Sequence, residues 1–492
     1  MIRPFRFGFM IVCSVGLCAS MPAHAIPGQV SIRGGIVQWG QYNNIKHVIA
    51  VSTTSENLAE TIRAYPVSGT SCVLIHAQRP GQRVFSADGK TIDPGEQDRL
   101  LETIRTVNTF DMLPIVVLFD PDERCHLQSP KAYAKAATTL SRLIEDADLW
   151  YLPCIVADGT SDQWRSMKVS QIIQRSALGI REIRRNQVIA AGSNTPRFNR
   201  ALFETGSPVQ VLAAYAEKPG TLSVVGDHPV IELLRANTLD LHDLSDPLEQ
   251  TYKEPNYGFA IDLEDGGEPE REEILNEIFA LTDAYHKQAW PATPLDPADA
   301  FSLKPGEAEE GFRSLFNGKN LNGWVQLTDP GNFEVRDGAI ELVGKSGGWL
   351  RSWDVYDDFV FRAEYWIEEG GNAGFYIRTP AIGRQSRIGF EFQIMGQPAS
   401  LAPRKDTTGA IYDVRPPDAN YMKLGDWNEV ELTCEGSRIR VMWNGNLAHD
   451  FRYEELDAMK TRAQSGFIGL QDHQSSVKYR NLRIKRLPAR VD

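Results

Sequence analysis

Residues 372–378 read Asn-Ala-Gly-Phe-Tyr-Ile-Arg, and residues 390–394 read Phe-Glu-Phe-Gln-Ile. Apolar and polar side chains alternate in both stretches, which is the period of a β-strand with one face in a core and one polar face. The same period recurs at residues 359–367 and 430–434. The last third of the chain therefore predicts an antiparallel β-sandwich, with a final strand near residues 478–484.

Two dipeptides indicate how the strands of this region connect. Asp337-Gly338 and Asn444-Gly445 each stand between alternating runs. Asp-Gly and Asn-Gly are the pairs that tight two-residue hairpin loops favour, because both turn positions need positive φ. Hairpins at these points are expected.

Strand alternation also brings the polar side chains of this region together. Side chains two residues apart share a face of a strand, so the polar groups of each stretch point to one side and the aromatic and aliphatic groups to the other. An acid, an imidazole, a guanidinium and amides on converging faces predict a polyol-binding surface that includes acid–base groups. The residues are Tyr376, Arg378, Glu391, Gln393, Gln471 and His473.

The first half of the chain has a different pattern. Eight apolar runs alternate with amphipathic helical segments, and several runs are apolar throughout, as parallel strands covered on both faces are. This order predicts a (β/α)8-like barrel. The interval from Tyr215 to Leu222 leaves no room for a helix, so an irregular barrel and an open sheet remain alternatives. The predicted strands are residues 46–51, 72–76, 114–119, 152–157, 187–191, 209–215, 222–225 and 257–262.

The chain has 492 residues, which is too long for one ordinary core. A stretch rich in proline and ending in glutamates separates the two patterns and reads as a linker. The predicted organisation is a signal peptide at residues 1–25, a barrel domain at 26–287, a linker at 288–310 and a sandwich domain at 311–488.

The first 25 residues have the pattern of a secretory signal. Arg3 and Arg6 precede a largely apolar stretch, and Ala23-His24-Ala25 is an A-x-A cleavage pattern. We expect the mature protein to begin at Ile26 and to be periplasmic or secreted. Since no second apolar run approaches the length of a membrane span, no membrane insertion is expected after cleavage.

Charge and cysteine content exclude some classes of function. The formal net charge of −12 argues against nucleic acid or an anionic membrane surface as partner. Four cysteines follow the predicted cleavage site, and none has the C-x-x-C spacing of a metal site. An exported compartment permits a disulfide, but buried free thiols are favoured. The cysteines are Cys72, Cys125, Cys154 and Cys434.

Several motifs of the last third, taken together, resemble the 3-keto-disaccharide hydrolase domain family. The resemblance covers roughly residues 311–488 and implies a concanavalin-like jelly-roll sandwich. One departure is Gln474, where the family often has glycine. The matching motifs are residues 315–324, 371–374, 390–393, 409–412, 443–445, 469–473 and 479–484.

The resemblance implies cleavage of glycosides that are already oxidised at C3. A ketone at C3 acidifies the C2 proton, a base removes that proton, and the enediolate expels the C1 leaving group. Water then adds back, so the net reaction is hydrolysis. Such a site needs a base, donors for the developing oxyanion and sugar-binding polar groups.

The resemblance assigns these roles to particular residues of the motifs. His473 suits the base because an unperturbed imidazole titrates near neutrality. Glu391 is the rival base, and it is also a candidate to orient His473 or to ligate a divalent cation, which no spacing in the sequence demands. No other cofactor is expected. The implied substrate-binding residues are Arg378, Tyr376, Gln393, Tyr412 and Gln471.

The barrel resembles glycosidase-type barrels more loosely. Its site is expected at the carboxyl ends of the strands. The Asn-Glu pair that such enzymes carry after the fourth strand is replaced here by Asp158-Gly159, so an active barrel and a degenerate substrate-binding barrel both remain open. The residues at those ends are Thr53, His76, Asp120, Asp122, Glu123, Asp158, Asn194, Glu217, Asp227, His228, Asp262 and Glu264.

Two classes of function follow. The first is an exported enzyme that cleaves 3-keto-glycosides through its sandwich. The alternative is a lectin-like carbohydrate-binding sandwich attached to an active or degenerate barrel. Convergence of Glu391, Arg378 and His473 in one pocket favours the enzyme, and a flat aromatic platform favours the lectin.

Overall fold

A closed parallel barrel and an antiparallel sandwich form the two domains of the computed structural model. The structure describes residues 30–33, 36–39, 49–52, 58–78, 83–110, 112–119, 127, 129–157, 169–193, 199, 202–203, 207–216, 222, 228–236, 239–254, 256–263, 268–289, 292–327, 332–344, 348–380, 384–398 and 400–488. The predicted signal peptide and Cys125 lie outside these residues.

The strands of the first domain begin with a short hairpin and continue as a barrel closed in the order β10-β3-β4-β5-β6-β7-β8-β9, with parallel pairing throughout. This confirms the predicted (β/α)8-like barrel and excludes the open sheet. The strands are β1 (Ser31–Arg33), β2 (Ile36–Gln38), β3 (Ile49–Ser52), β4 (Cys72–His76), β5 (Leu113–Val117), β6 (Leu152–Ala157), β7 (Ala190–Ser193), β8 (Val211–Tyr215), β9 (Val230–Arg235) and β10 (Tyr257–Asp262).

Amphipathic helices surround the barrel. Two of them begin with a proline that follows an N-cap residue. The side chains of Asp93 and Ser129 accept backbone N–H groups of the first turn. Pro94 and Pro130 lack an N–H where the helix has no intrahelical acceptor for it. The described helices of this domain are α1 (Leu58–Ser68), α2 (Pro94–Thr109), α3 (Pro130–Asp146), α4 (Val169–Ile183), α5 (Ser245–Lys253) and α6 (Glu268–Ala289), with a 3₁₀ turn at Leu241–Leu244.

The prediction of the seventh barrel strand at residues 222–225 is wrong. That strand is β9, and it carries a fully buried acidic side chain, Glu232, between apolar neighbours. In a sequence, an acidic residue inside an apolar run indicates that the run is not a buried strand, so this strand was not predicted. In the structure the carboxylate accepts the hydroxyl of Tyr257 at 2.6 Å and the backbone N–H of Leu222 at 2.6 Å, so its burial is compensated.

The second domain is the predicted antiparallel sandwich of two sheets. One sheet has the order β13-β14-β23-β16-β19-β20-β21, with β11 paired to β23, and the other has the order β12-β15-β22-β17-β18. The elements are β11 (Arg313–Ser314), β12 (Trp324–Gln326), β13 (Phe333–Arg336), β14 (Ala339–Leu342), β15 (Gly348–Ser352), β16 (Phe359–Ile367), β17 (Asn372–Thr379), α7 (Gln385–Ile388), β18 (Phe390–Met395), β19 (Trp427–Glu435), β20 (Arg438–Trp443), β21 (Asn446–Arg452), a 3₁₀ turn at Tyr453–Glu455, β22 (Phe467–Asp472) and β23 (Val477–Arg486).

Strand alternation, hairpin turns and buried thiols that the sequence predicted are present in the structure. Every second residue of β16 is buried, and these side chains form the core between the two sheets. Both predicted hairpin turns are present, with φ of 48° at Asp337, 74° at Gly338, 50° at Asn444 and 78° at Gly445. Three of the predicted thiols, Cys72, Cys154 and Cys434, are buried and free.

The segment predicted as a linker does not run free between the domains. Helix α6 continues to Ala289, beyond the predicted end of the barrel at residue 287. The residues that follow pack on the sandwich: the carbonyl of Thr293 accepts the N–H of Gly323 at 2.7 Å, and buried Glu307 binds Arg483 at 2.6 Å and Arg362 at 2.8 Å. The segment folds into successive turns against the sandwich; for example, the N–H of Asp299 donates to the carbonyl of Asp296 at 2.9 Å.

Helix α6 also joins the two domains. The ring of Phe279 stacks on the ring of Phe467 with centroids 6.3 Å apart. The carboxylate of Asp283 binds the guanidinium of Arg351 at 2.7 Å, and Arg351 is fully buried. The two domains therefore share an interface on the outer face of the sheet that runs from β12 to β18.

Replacing Asp283 by Asn is expected to lower the free energy of unfolding by about 2–3 kcal/mol, because it leaves the buried guanidinium of Arg351 without a counter-charge. Chemical denaturation measures the change, and limited proteolysis should cut the variant between the domains sooner. Glu102→Gln is the matched control, since it breaks an exposed helix pair with Arg105. Equal stability of the two variants would contradict the role given to Asp283.

Candidate functional site

The pairing of three strands builds a polar patch on the outer face of the second sheet. Strand β17 lies between β22 and β18, so that Tyr376 stands opposite Glu391 on one side and opposite Gly469 on the other. Because directly opposed residues share a face, the predicted convergence of Tyr376 and Glu391 is present.

Side-chain contacts extend this patch. The Nε2 of Gln471 donates to the hydroxyl of Tyr376 at 2.8 Å. Trp349 is the register partner of Gln471, and its ring meets the ring of Tyr376 edge-on at 6.0 Å. We call Trp349, Tyr376, Glu391, Gln393 and Gln471 the Glu391 cluster. All five side chains are buried.

Two glycines leave room for the cluster. A Cβ at position 374 would lie 2.5 Å from Oε1 of Glu391, and a Cβ at position 469 would lie 2.5 Å from the ring of Trp349. Both distances are below van der Waals contact, so any other residue would displace the acid or the indole. Gly374 and Gly469 therefore have a spatial reason to be glycine.

Glu391 is the electrostatic centre of the cluster. Burial raises its pKa to about 8, although the nearby charge of Arg384 and a hydrogen bond from Gln471 oppose the shift. Its Oε1 and the Oε1 of Gln471 have no hydrogen-bond partner among the described residues. Two unpaired buried acceptors on one patch mark a place where a ligand can supply donors.

Arg384 is a site residue that the sequence did not indicate. It lies just before helix α7, and its charge acts on both Glu391 and Tyr376. Burial raises the pKa of Tyr376 well above its ordinary value, so its hydroxyl keeps its proton and remains a donor. Trp349 also lies in the cluster, because alternation in β15 places it on the face opposite the buried Leu350.

Arg378 does not join the cluster, so its predicted place beside Tyr376 is wrong. Its φ is 51°, and the pairing of β17 with β22 shifts register between Tyr376 and Thr379. The irregularity turns the guanidinium away, where it donates to the carbonyls of Asp357 and Gly436 at 2.8 Å and binds Asp358 at 2.9 Å. Strand parity fails at this residue because a bulge reverses the face.

His473 follows the last residue of β22, and its side chain is exposed. No described residue hydrogen-bonds to its ring, and the structure gives it no contact with Glu391. The preceding Asp472 braces the turn: its carboxylate accepts a hydrogen bond from the side-chain amide of Asn332 and, at 2.8 Å, one from the backbone N–H of Gln474. Gln474 has a φ of 64°, a conformation that suits glycine.

The remaining predicted residues lie along β18. Gln393 is buried, and its Nε2 donates to Oδ1 of Asn372 at 3.3 Å. The backbone N–H of Tyr412 donates to the carbonyl of Glu391 at 2.9 Å, which places the 409–412 motif beside the cluster. The structure thus brings together Tyr376, Glu391, Gln393 and Gln471, with Tyr412 adjacent.

A divalent cation finds no ligand set at the cluster. Its one acid, Glu391, is surrounded by amides, a phenol and an indole, and His473 does not approach it. Across the described parts of the chain, no three side chains of histidine, cysteine, aspartate or glutamate are grouped to hold a metal.

Three of the residues predicted at the carboxyl ends of the barrel strands lie among the described residues. His76 and Asp262 are the last residues of β4 and β10 and meet at 3.0 Å, and the ring of His228 lies 4.6 Å from that of Phe203. The other residues named at the strand ends lie outside the described residues.

No helix among the described segments combines the length and apolarity that a membrane crossing needs.

Fold and site together define a two-domain protein in which a (β/α)8-like barrel precedes a β-sandwich with a buried acid–amide–phenol cluster on one outer face. The model of the 3-keto-alpha-glucoside-1,2-lyase-like domain family matches residues 311–485, which span the sandwich.

Known proteins resemble parts of this chain. A 3-keto-disaccharide hydrolase of Bacteroides thetaiotaomicron is 23% identical over 272 residues, which is 45% of this chain and 91% of that protein. A glycoside hydrolase family 5 protein of Bacteroides vulgatus covers 69% of this chain and 85% of its own at 10% identity, with a TM-score of 0.41. A carbohydrate-binding module of Bacillus subtilis covers 33% and 95% at 14% identity, with a TM-score of 0.26.

Proposed function

We propose that the sandwich cleaves 3-keto-glycosides and that Glu391 is the base that removes the C2 proton. The observation that carries the proposal is the raised pKa of Glu391 in a patch with unpaired acceptors. A carboxylate whose pKa lies near the working pH is a far stronger base than an ordinary one. The family match at residues 311–485 and the name of the Bacteroides relative support the substrate class.

The proposed reaction has two stages. In the first stage, the Glu391 carboxylate takes the proton from C2, the electron pair forms the enediolate with the C3 oxygen, and collapse of the enediolate expels the C1 oxygen substituent. In the second stage, water adds across the C1–C2 double bond, with hydroxide at C1 and a proton at C2. The proton that Glu391 took from C2 passes to the departing C1 oxygen, which regenerates the carboxylate, so the net change is addition of one water.

Other members of the cluster stabilise the charge that develops. The hydroxyl of Tyr376, which keeps its proton because of burial, is a donor for the enediolate oxygen. The cation of Arg384 offsets the negative charge that passes from Glu391 to the substrate. Arg384 is thus the cation of this site, whereas the sequence had placed Arg378 among the substrate-binding residues.

The test is incubation of the purified protein with a 3-keto-glucoside and with its unoxidised parent glycoside. Release of the leaving group is expected from the oxidised substrate alone, because only the ketone acidifies the C2 proton. In deuterium oxide, the product should carry deuterium at C2. Equal cleavage of the parent glycoside would contradict the enediolate route.

The rate of cleavage should rise with pH, because Glu391 acts as a base only in its ionised form. Because Glu391 acts as the anion and burial raises its pKa to about 8, kcat/KM should rise by roughly tenfold per pH unit below that pH and level off above it. Initial rates from pH 6 upward, corrected for the spontaneous reaction of the ketone, measure the profile. A rate that falls as pH rises through this range would assign Glu391 the role of an acid.

A lectin-like sandwich is the second candidate, and a carbohydrate-binding module is among the similar structures. The aromatic members of the cluster argue against it. Trp349 is 4% exposed and Tyr376 is 9% exposed, whereas an aromatic platform for sugar rings lies open to solvent. Sugar binding without turnover of either glycoside would favour the lectin.

A further inference from the structure

Four polar side chains lie on neighbouring parts of the rim at one end of the barrel. Each is the last residue of its strand: His76 on β4, Tyr215 on β8, Arg235 on β9 and Asp262 on β10. The residue two positions earlier in each of these strands belongs to the apolar interior of the barrel. By strand alternation the four side chains face that interior, at the carboxyl ends where barrels bind ligands.

These side chains are arranged around one carboxylate. Oδ2 of Asp262 accepts a hydrogen bond from the hydroxyl of Tyr215 and lies 3.0 Å from Nε2 of His76. The guanidinium of Arg235 lies over the ring of Tyr215, 4.4 Å from its centroid. Two donors and a cation thus surround a single anion at the end of the barrel interior.

The other oxygen of this carboxylate is not used. Oδ1 of Asp262 has no hydrogen-bond partner among the described residues, although the residue is only 1% exposed. Burial alone would raise the pKa of Asp262, but the bonds from His76 and Tyr215 and the charge of Arg235 hold it below its ordinary value. Asp262 therefore carries a buried, anionic acceptor without a donor, which costs free energy unless something fills it.

A second buried barrel acid shows what a structural carboxylate looks like in this domain. Both oxygens of Glu232 are occupied, one by Leu222 and the other by Tyr257, at 2.6 Å each. Glu232 belongs to the outward-facing set of β9, between the barrel and its helices, whereas Asp262 faces the interior. The unpaired oxygen is therefore a feature of the carboxyl end and not of barrel acids in general.

We propose that this end of the barrel binds a neutral sugar, with one sugar hydroxyl donating to Oδ1 of Asp262. Sugars present neighbouring hydroxyls that donate and accept at once, which suits an anionic acceptor set beside a phenol, an imidazole and a guanidinium. The charges of Asp262 and Arg235 offset each other, so a neutral ligand leaves no excess charge buried. The site is separate from the Glu391 cluster and does not depend on the proposed function.

The test is isothermal titration of the full chain with methyl α-D-glucopyranoside, which has no ketone for the sandwich to act on. Asp262→Asn should weaken binding by about tenfold or more, the usual worth of a hydrogen bond to a charged group. Tyr215→Phe, a milder change that keeps the ring under Arg235, should weaken binding by about threefold, because one support of the carboxylate is lost.

Two control variants locate the sugar. Tyr257→Phe removes a tyrosine hydroxyl that binds Glu232 outside the barrel interior, and it should leave the Kd unchanged. Glu391→Gln should also leave the Kd unchanged, because its site is on the other domain.

Three results would overturn the proposal: no binding at tens of millimolar sugar, binding that survives both Asp262→Asn and Tyr215→Phe, or binding lost in Glu391→Gln. The first would mean that Oδ1 holds only an ordered water.

Discussion

Replacing Glu391 by Gln is expected to lower kcat on a 3-keto-glucoside by roughly two to four orders of magnitude, the usual worth of a positioned general base. The amide keeps the shape of the side chain but has no basic oxygen for the C2 proton. Substrate binding should change much less, because the neighbouring donors remain. Steady-state kinetics with the purified variant measure both effects.

His473→Ala is the matched comparison, since the sequence favoured His473 as the base. With the His473 ring exposed and without a bond to any described residue, the alanine variant should keep most of the activity. A loss confined to His473→Ala, with Glu391→Gln near normal, would move the base to the histidine. Near-normal rates in both variants would remove the enediolate mechanism.

Stability gives an independent readout of the same carboxyl. The folded pKa of Glu391 is about 8 and the ordinary value is 4.5, so the unfolded chain releases this proton first as pH rises. Its contribution to stability is therefore lost between those two pH values. The melting temperature of Glu391→Gln should rise relative to the native protein across this window, and a constant difference would argue against a raised pKa.

Replacing Arg378 by Met is expected to cost about 3–5 kcal/mol of stability, although the sequence placed this residue among the substrate ligands. The guanidinium is fully buried, and it binds Asp358 together with two backbone carbonyls. Its removal takes a donor from both carbonyls and the counter-charge from the carboxylate, which keeps the backbone N–H of Gly436 at 2.7 Å. Chemical denaturation followed by the fluorescence of the sandwich tryptophans measures the loss.

Arg404→Met is the control for that experiment. Arg404 is likewise paired with a carboxylate, here through two hydrogen bonds to Asp406, but both side chains are more than half exposed. Such a pair contributes about 1 kcal/mol or less. If Arg378→Met retains full stability but loses substrate affinity, the guanidinium belongs to the site after all. Turnover per folded molecule should otherwise be unchanged.

The interaction between domains was beyond the reach of sequence periodicity. Helix α6 has a stripe of apolar residues that predicts one buried face, but Phe279 and Asp283 contact the other domain. Likewise Arg384 lies in no strand or helix whose period would reveal its direction. Its effect on Glu391 depends on how the segment before α7 packs against β18.

The sequence by itself determined the two domain types, the alternation of β16, the hairpins at Asp337 and Asn444, and the common face of Glu391 and Gln393. These are consequences of local geometry, since side-chain direction and turn conformation depend on a few neighbouring residues. Only the tertiary structure decided that Arg378 leaves the site at a bulge, that His473 is exposed, and that Asp262 meets His76 across 186 positions of chain. Register shifts and contacts between distant segments depend on packing energies summed over the whole domain, which no local pattern contains.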